Sequence, residues 1–240
     1  MTKGHPRLRT PLIVEAVFEL RYSSRTPYGI LPGQLFELMK QTFPVAEELP
    51  AAQIALDVAP APFARHRFRT SDGTRMVQLG QGMVSVNHTG YVGYDTFRQD
   101  IDPLLAACGK LSLLTALERL GLRYINRAPL DQPWSEIVTY QVTAPAAVES
   151  RDSARRFTWR TGLDELGALQ TTVAWPVPIQ DHPPALVLDF DASVQLKAAR
   201  VETILEWIDE AHNTIYEAFK SSLQPDYFKK LGGRTHAAHS

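Results

Sequence analysis

The chain is 240 residues long with 44% hydrophobic content, enough for one large domain or two small ones with real cores. Its net charge of −1 and pI of about 6.7 exclude a global field that would draw it onto nucleic acid or an anionic membrane, so any basic site must be local. A single cysteine, Cys108, excludes an intrachain disulfide framework and a thiolate metal cluster.

Pro11 to Tyr22 reads PLIVEAVFELRY. Val14, Ala16, Phe18, Leu20 and Tyr22 alternate with Glu15, Val17, Glu19 and Arg21, which predicts a half-buried strand with a polar second face. Tyr28-Gly29 to Pro32-Gly33 is loop chemistry. Leu35, Phe36, Leu38, Met39 and Phe43 then predict a short amphipathic helix that Pro44 stops. The Ala- and Pro-rich stretch from Glu47 to Pro62 reads as a connection holding one strand at 53–58.

His66 to Tyr94 reads as a three-stranded antiparallel meander. Ser71-Asp72-Gly73-Thr74 and Gly80-Gln81-Gly82 supply its turns, because Asp-Gly between extended runs is a strong hairpin signal. Val77-Gln78-Leu79 and Val84-Ser85-Val86 alternate as half-buried strands do. A meander of this kind needs helices against one face. Phe97, Ile101, Leu104, Leu105 and Cys108 predict a helix over 94–114. From Glu118 to Leu130, Leu120, Leu122 and Tyr124 share one strand face, and Arg119, Arg123 and Arg127 share the other. Further strands are predicted at 137–143, 156–161, 169–177 and 186–194. Gly162 and Gly167 turn the chain between the second and third, and the Pro-rich segment 176–184 is expected to be a loop. Val201, Ile204, Leu205, Ile208, His212, Ile215, Phe219 and Leu223 form an apolar stripe that predicts a long C-terminal helix ending before Pro225. The tail from Gly232 to Ser240 is expected to fray.

Runs of strands beside helices, without strict βαβ alternation, predict an α+β fold. The layout suggests antiparallel sheets in two similar halves, 1–130 and 131–240. Each is covered by amphipathic helices, and the two pack as one unit. No apolar run approaches a membrane span, and no signal-type core follows the N-terminal MTKGHPRLRT. A cytoplasmic protein without membrane partners is the simplest expectation.

PLIVEAVFELRY, SDGTRMVQLGQGMVSVNHTGY, RLGLRYINR, LVLDFD and the final helix with EAFKSSL occur here in one order. In combination they resemble a sporadically distributed bacterial family of about this length. The resemblance spans nearly the whole chain. It implies membership but no activity, cofactor or catalytic residue. Patchy occurrence is typical of mobile genes that carry defence or biosynthetic cargo, and by that association alone it suggests an accessory role.

No phosphate-binding glycine loop, dinucleotide fingerprint, G-x-S-x-G elbow or H-E-x-x-H motif is present, and the histidines do not fall at metal-ligand spacing. No catalytic residue, cofactor or metal is therefore assigned. His212, on an apolar helix stripe, reads as a core histidine held by a hydrogen bond. His88 reads as a polar strand end. Arginine placement is the informative feature: 18 arginines against 7 lysines. Arginine suits bidentate recognition of carboxylate or phosphate, although a high arginine share also follows from GC-rich coding. Arg65, Arg67 and Arg69 alternate along one strand and Arg119, Arg123 and Arg127 along another. Arg155, Arg156 and Arg160, with Trp159 between them, form a third group.

One reading of these arginines is a solvated face laced with cross-strand ion pairs, each worth about 0.2–1 kcal/mol. The other is a site for an acidic or phosphate-bearing ligand, with Arg65, Arg67, Arg69, Arg119, Arg123, Arg127, Trp159 and Arg160 as its residues. The leading expectation for function is a non-catalytic binding or assembly subunit with a protein partner, or a homodimer. One alternative is a tunnel-type, metal-dependent phosphohydrolase, although Glu15 and Glu19 are four apart and the Glu-x-Glu-x-Lys pattern is missing. The other is single-stranded nucleic-acid binding, which the near-zero net charge disfavours.

Overall fold

The computed structural model describes residues 8–23, 27–49, 64–140, 155–179 and 182–233. The strand expected at 53–58 and the tail beyond Gly233 lie outside them. In chain order the elements are β1 (Ile13–Tyr22), α1 (Leu31–Met39), β2 (Val45–Glu48), β3 (Ala64–Arg69), β4 (Arg75–Gly80), β5 (Met83–His88) and α2 (Tyr94–Lys110). They continue with β6 (Leu117–Pro129), α3 (Trp134–Ile137), β7 (Arg155–Gly162), β8 (Ala168–Ile179), β9 (His182–Gln195), α4 (Val201–Ser222) and α5 (Pro225–Lys230). The fold is α+β.

All the described strands join in one antiparallel sheet, in the order β2-β3-β4-β5-β1-β6-β9-β8-β7. The meander β3-β4-β5 forms as its turn residues dictate, with Gly73 and Gly82 at positive φ. The first strand does not remain at an edge. It inserts between β5 and β6, so Phe18 stands opposite both Val86 and Leu122. The sheet runs on across the expected boundary at residue 130, because β6 pairs with β9 from Arg119 opposite Gln195 to Pro129 opposite Ala185.

Period-two alternation divides this sheet into two chemically different faces. Ala16, Phe18, Leu20, Val77, Leu79, Val84, Val86, Leu120, Leu122, Leu188 and Phe190 are buried on one of them. The helices lie there: α1 packs on β3, with Phe36 against Phe68 at 5.3 Å, α2 on β5, and α4 on β6 and β9. No described helix packs on the other face.

The long helix α4 forms where its apolar stripe predicts. The buried positions are Ile204, Trp207, Ile208, Ala211, Ile215, Phe219 and Ser222, whereas Val201, Leu205 and His212 are only partly covered. The stripe is rotated toward Trp207, whose indole N–H donates to the Leu166 carbonyl at 3.3 Å. Five expectations change. Pro32-Gly33, read as loop, lies in the first turn of α1, where proline's missing N–H breaks no helix bond. The 94–114 helix stops at Lys110, and a 3-10 turn follows at Leu113–Ala116. The connection expected from Glu47 begins instead inside a strand, since Val45–Glu48 pairs along β3. The strand expected at 137–143 is instead the end of α3 and a single bridge from Val138 to Leu223, its residues beyond Tyr140 lying outside the described ones. The Pro-rich segment is not a loop throughout, since β8 continues through Pro176 and Pro178 to Ile179, and β9 begins at His182. Register shifts after Ala174 let prolines, which lack an N–H, be carried in the ladder.

Candidate functional site

The face on which no described helix packs carries eight of the 18 arginines. Arg67 and Arg69 stand on β3, Arg21 on β1, Arg119, Arg123 and Arg127 on β6, and Arg156 and Arg160 on β7. Their strand neighbours on this face include Glu47, Glu15, Glu19, Asp189 and Asp191. The arginine strands β3 and β6 are not neighbours. Three strands lie between them, about 19 Å at the usual spacing, so their arginines do not form one cluster.

Charge on this face is sorted by position. In the centre, Arg21 and Arg119 both donate to Glu19, at 2.7 and 2.8 Å, and Arg119 reaches Asp191 at 3.4 Å. Arg123 donates through Nε and Nη2 to the two oxygens of Asp189, at 2.8 and 2.6 Å. That bidentate bond raises the Arg123 pKa above its usual range. Asp191 shifts up instead: its burial among these side chains outweighs the pull of Arg119 and Arg123. Each central guanidinium thus meets a carboxylate. At β3, Glu47 serves two arginines, with Arg69 at 2.7 Å and Arg67 at 3.9 Å.

The far end is different. Arg127, Arg156 and Arg160 are exposed, and none has a carboxylate partner among the described residues. Cross-strand register sets Arg127, Val187, Ala174 and Arg156 in one row, and Arg123, Asp191, Gln170 and Arg160 in another. Four residues of strand separate Arg156 from Arg160, and three strand spacings separate Arg127 from Arg156, about 13 and 14 Å. Between the rows lie Asp189, Thr172 and Thr158, the two threonine hydroxyls hydrogen-bonded at 2.9 Å. With Asp189 held by Arg123 and Asp191 by Arg119, the threonines framed by Arg127, Arg156 and Arg160 are the part of this face that can take an anionic group from solvent.

One of the expected site residues falls elsewhere. Trp159 is next to Arg160 in sequence and so points to the opposite face, where it meets Tyr140 edge-on at 4.7 Å. Arg65 sits where the β3–β4 register shifts between Ala64 and His66, while its carbonyl still accepts from the Leu49 amide at 2.8 Å. Its charge acts on the Tyr28 hydroxyl. Arg156, not among the expected site residues, belongs with Arg160. Strict alternation along RRFTWR was the signal for both it and Trp159.

On the helix side, two polar clusters hold α2 in place. His88 is completely buried, not a simple polar strand end: its Nε2 lies 2.8 Å from Asp100, whose carboxylate also accepts from Arg75 at 3.0 and 3.1 Å. The second joins α2, β6 and α4. Tyr94 stacks on His212 at 3.8 Å and donates to Asp209, and the Tyr124 hydroxyl lies 3.0 Å from His212 Nδ1. Burial drives the phenols of Tyr91, Tyr94 and Tyr124 far above their usual range, and pushes the Cys108 thiol up to about 12. These groups stay neutral at ordinary pH. Among the described residues no three His, Cys, Asp or Glu side chains are grouped as a metal would need, and no helix is long and apolar enough to cross a membrane. Comparison with protein-family models and with curated proteins finds no match to this chain.

Proposed function

We propose that this chain is a cytoplasmic binding or assembly subunit whose arginine-bearing sheet face receives an acidic or phosphate-bearing partner. The observation that carries this reading is the uneven neutralisation of the face. Arginines in the centre are matched by Glu19, Asp189 and Asp191, whereas Arg127, Arg156 and Arg160 are exposed without such partners among the described residues. A face that existed only as a solvated lattice of ion pairs would spread its carboxylates evenly. Here the excess collects at one end. Exposed ion pairs add little to stability, and arginines outside them keep their planar donor forks available to a carboxylate or phosphate. The tunnel-type alternative needs a closed barrel, and the described strands form a sheet with two ends.

The test is titration with tripolyphosphate and with short polyglutamate, at low and at physiological salt. The chain carrying Arg127→Glu with Arg160→Glu should bind either probe at least ~10-fold more weakly while melting like the wild type, because no described ion pair is broken. Arg67→Glu with Arg69→Glu, at the partly neutralised end, should have a smaller effect. Equal binding by all three proteins would leave the arginines as surface chemistry alone.

A further inference from the structure

We infer that β7 is a docking edge that takes an extended acidic segment of a protein partner as an added strand. The inference rests on the reading above and gives the partner a form. β7 pairs with β8 on one side, from Arg155 opposite Trp175 to Gly162 opposite Ala168, with no register shift. On its other side no described strand or backbone group meets it. A regular edge of this length presents alternate N–H and C=O groups to solvent, which is the template for strand addition. The opposite edge of the sheet, β2, is only four residues long.

The side chains decide what kind of strand fits. On the helix-free face β7 shows Arg156, Thr158 and Arg160, all exposed. On the other it shows Phe157 and Trp159, half-buried, with Tyr140 beside Trp159. A strand laid along this edge therefore meets cations at alternate positions and aromatic rings between them. Its complement carries acidic residues at every second position and apolar ones at the intervening positions. A second copy of this chain is a poor fit. Antiparallel pairing of β7 with itself about Thr158 sets Arg156 opposite Arg160 of the other copy, twice, and like charges directly opposite repel. The arginines guard the edge against self-association and leave it open to an acidic strand.

The probe is a short peptide alternating glutamate with valine, titrated against the full chain by fluorescence anisotropy, beside the same peptide N-methylated at alternate residues and beside tripolyphosphate. The parent peptide should bind, and N-methylation on its inward edge should weaken it by at least ~10-fold because the backbone donors are lost. Arg156→Glu with Arg160→Glu should abolish binding, and a lysine-for-glutamate peptide should restore it to that variant. Hydrogen exchange should show alternate amides of β7 becoming protected only when peptide is added. Equal binding of the parent and N-methylated peptides overturns strand addition and leaves the arginine face in place. Binding of tripolyphosphate alone assigns the site to a phosphate-bearing ligand and overturns the acidic strand. Protection of the β7 amides before any peptide is added means that the edge is already taken, and also overturns it. Failure of every anionic probe removes the arginine-face reading as well.

Discussion

Gly73 and Gly167 show how two turn glycines can differ. Both have positive φ, +72° and +88°. A Cβ at Gly73 would meet only the end of the Arg69 side chain, at 3.6 Å, so its substitution costs backbone strain alone. At Gly167 a Cβ would lie 2.3 Å from the Ser193 carbonyl oxygen, which the β9 ladder holds in place. Gly73→Val should therefore destabilise the protein by about 1–3 kcal/mol, while Gly167→Ala, though smaller, should cost more. Thermal melts compare them, and the opposite ranking would mean that β9 gives way easily. Beside Gly73, the Asp72 carboxylate accepts from Thr70 and from the Thr74 amide and hydroxyl, bonds that hold its pKa below the usual 3.8. A depressed folded pKa stabilises above the unfolded value, and this contribution is lost as pH falls through the folded one. The difference in melting temperature between wild type and Asp72→Asn should shrink below about pH 4. A difference that stays constant with pH would show that the turn does not depend on the charge. Asp100 is a third case, because it accepts from both His88 and Arg75 while 3% exposed. Asp100→Ala leaves a buried histidine and a half-buried guanidinium without an acceptor. It should cost about 3 kcal/mol in a denaturant titration, at the low end for a broken buried pair because Arg75 can rehydrate. The sequence shows each of these residues but not that Asp100 comes to lie beside His88, because that contact depends on where a helix docks.

Among the elements, α4 separates what periodicity reveals from what it leaves open. Spacing alone finds a long amphipathic helix, but its apolar arc is broad enough to admit Leu205 or Trp207 as its centre. Docking against β6, β9 and the Leu166 carbonyl favours Trp207 and Ala211. Ile208→Asp places a charge at a fully buried position and should cost more than about 4 kcal/mol, enough to unfold a marginal domain. Leu205→Asp should leave a folded protein with a modest loss. Circular dichroism melts of the pair test the phase of the helix, and equal damage from both would return the stripe to the position its sequence alone suggests. The strands were legible where polar and apolar residues alternate, as in β1, β4 and β6. In β8 and β9 the bodies at 169–177 and 186–194 were legible, but not their proline-bearing ends, because proline's missing N–H argues against a strand unless the register can shift. For the arginine face, alternation grouped Arg65, Arg67 and Arg69 along one strand and Arg119, Arg123 and Arg127 along another. It could not show which of them would meet carboxylates, because Glu47, Glu19 and Asp189 arrive from other strands.

At the scale of the whole molecule, strand order is what the sequence conceals most. Local turns fix the meander, but the insertion of β1 between β5 and β6, and the pairing of β6 with β9, are long-range closures that no local pattern announces. They make residues 1–130 and 131–240 mutually dependent. Without the first segment, β9 loses its partner β6, and α4 loses β6 and the stacking of Tyr94 on His212. Without the second, β6 becomes an edge with Leu120, Leu122 and Tyr124 no longer beneath α4, and Arg119 and Arg123 lose Asp191 and Asp189. An edge with an apolar face of that kind is prone to aggregate. Expressed separately, the two segments should each lack a cooperative thermal transition and dispersed amide resonances. Mixed after joint refolding, they should regain both, because the pairing from Arg119 to Pro129 then re-forms across the gap. A sharp melt from 131–240 alone would show that β7, β8, β9 and α4 make a stable core of their own, and that β6 binds to a finished unit rather than completing it.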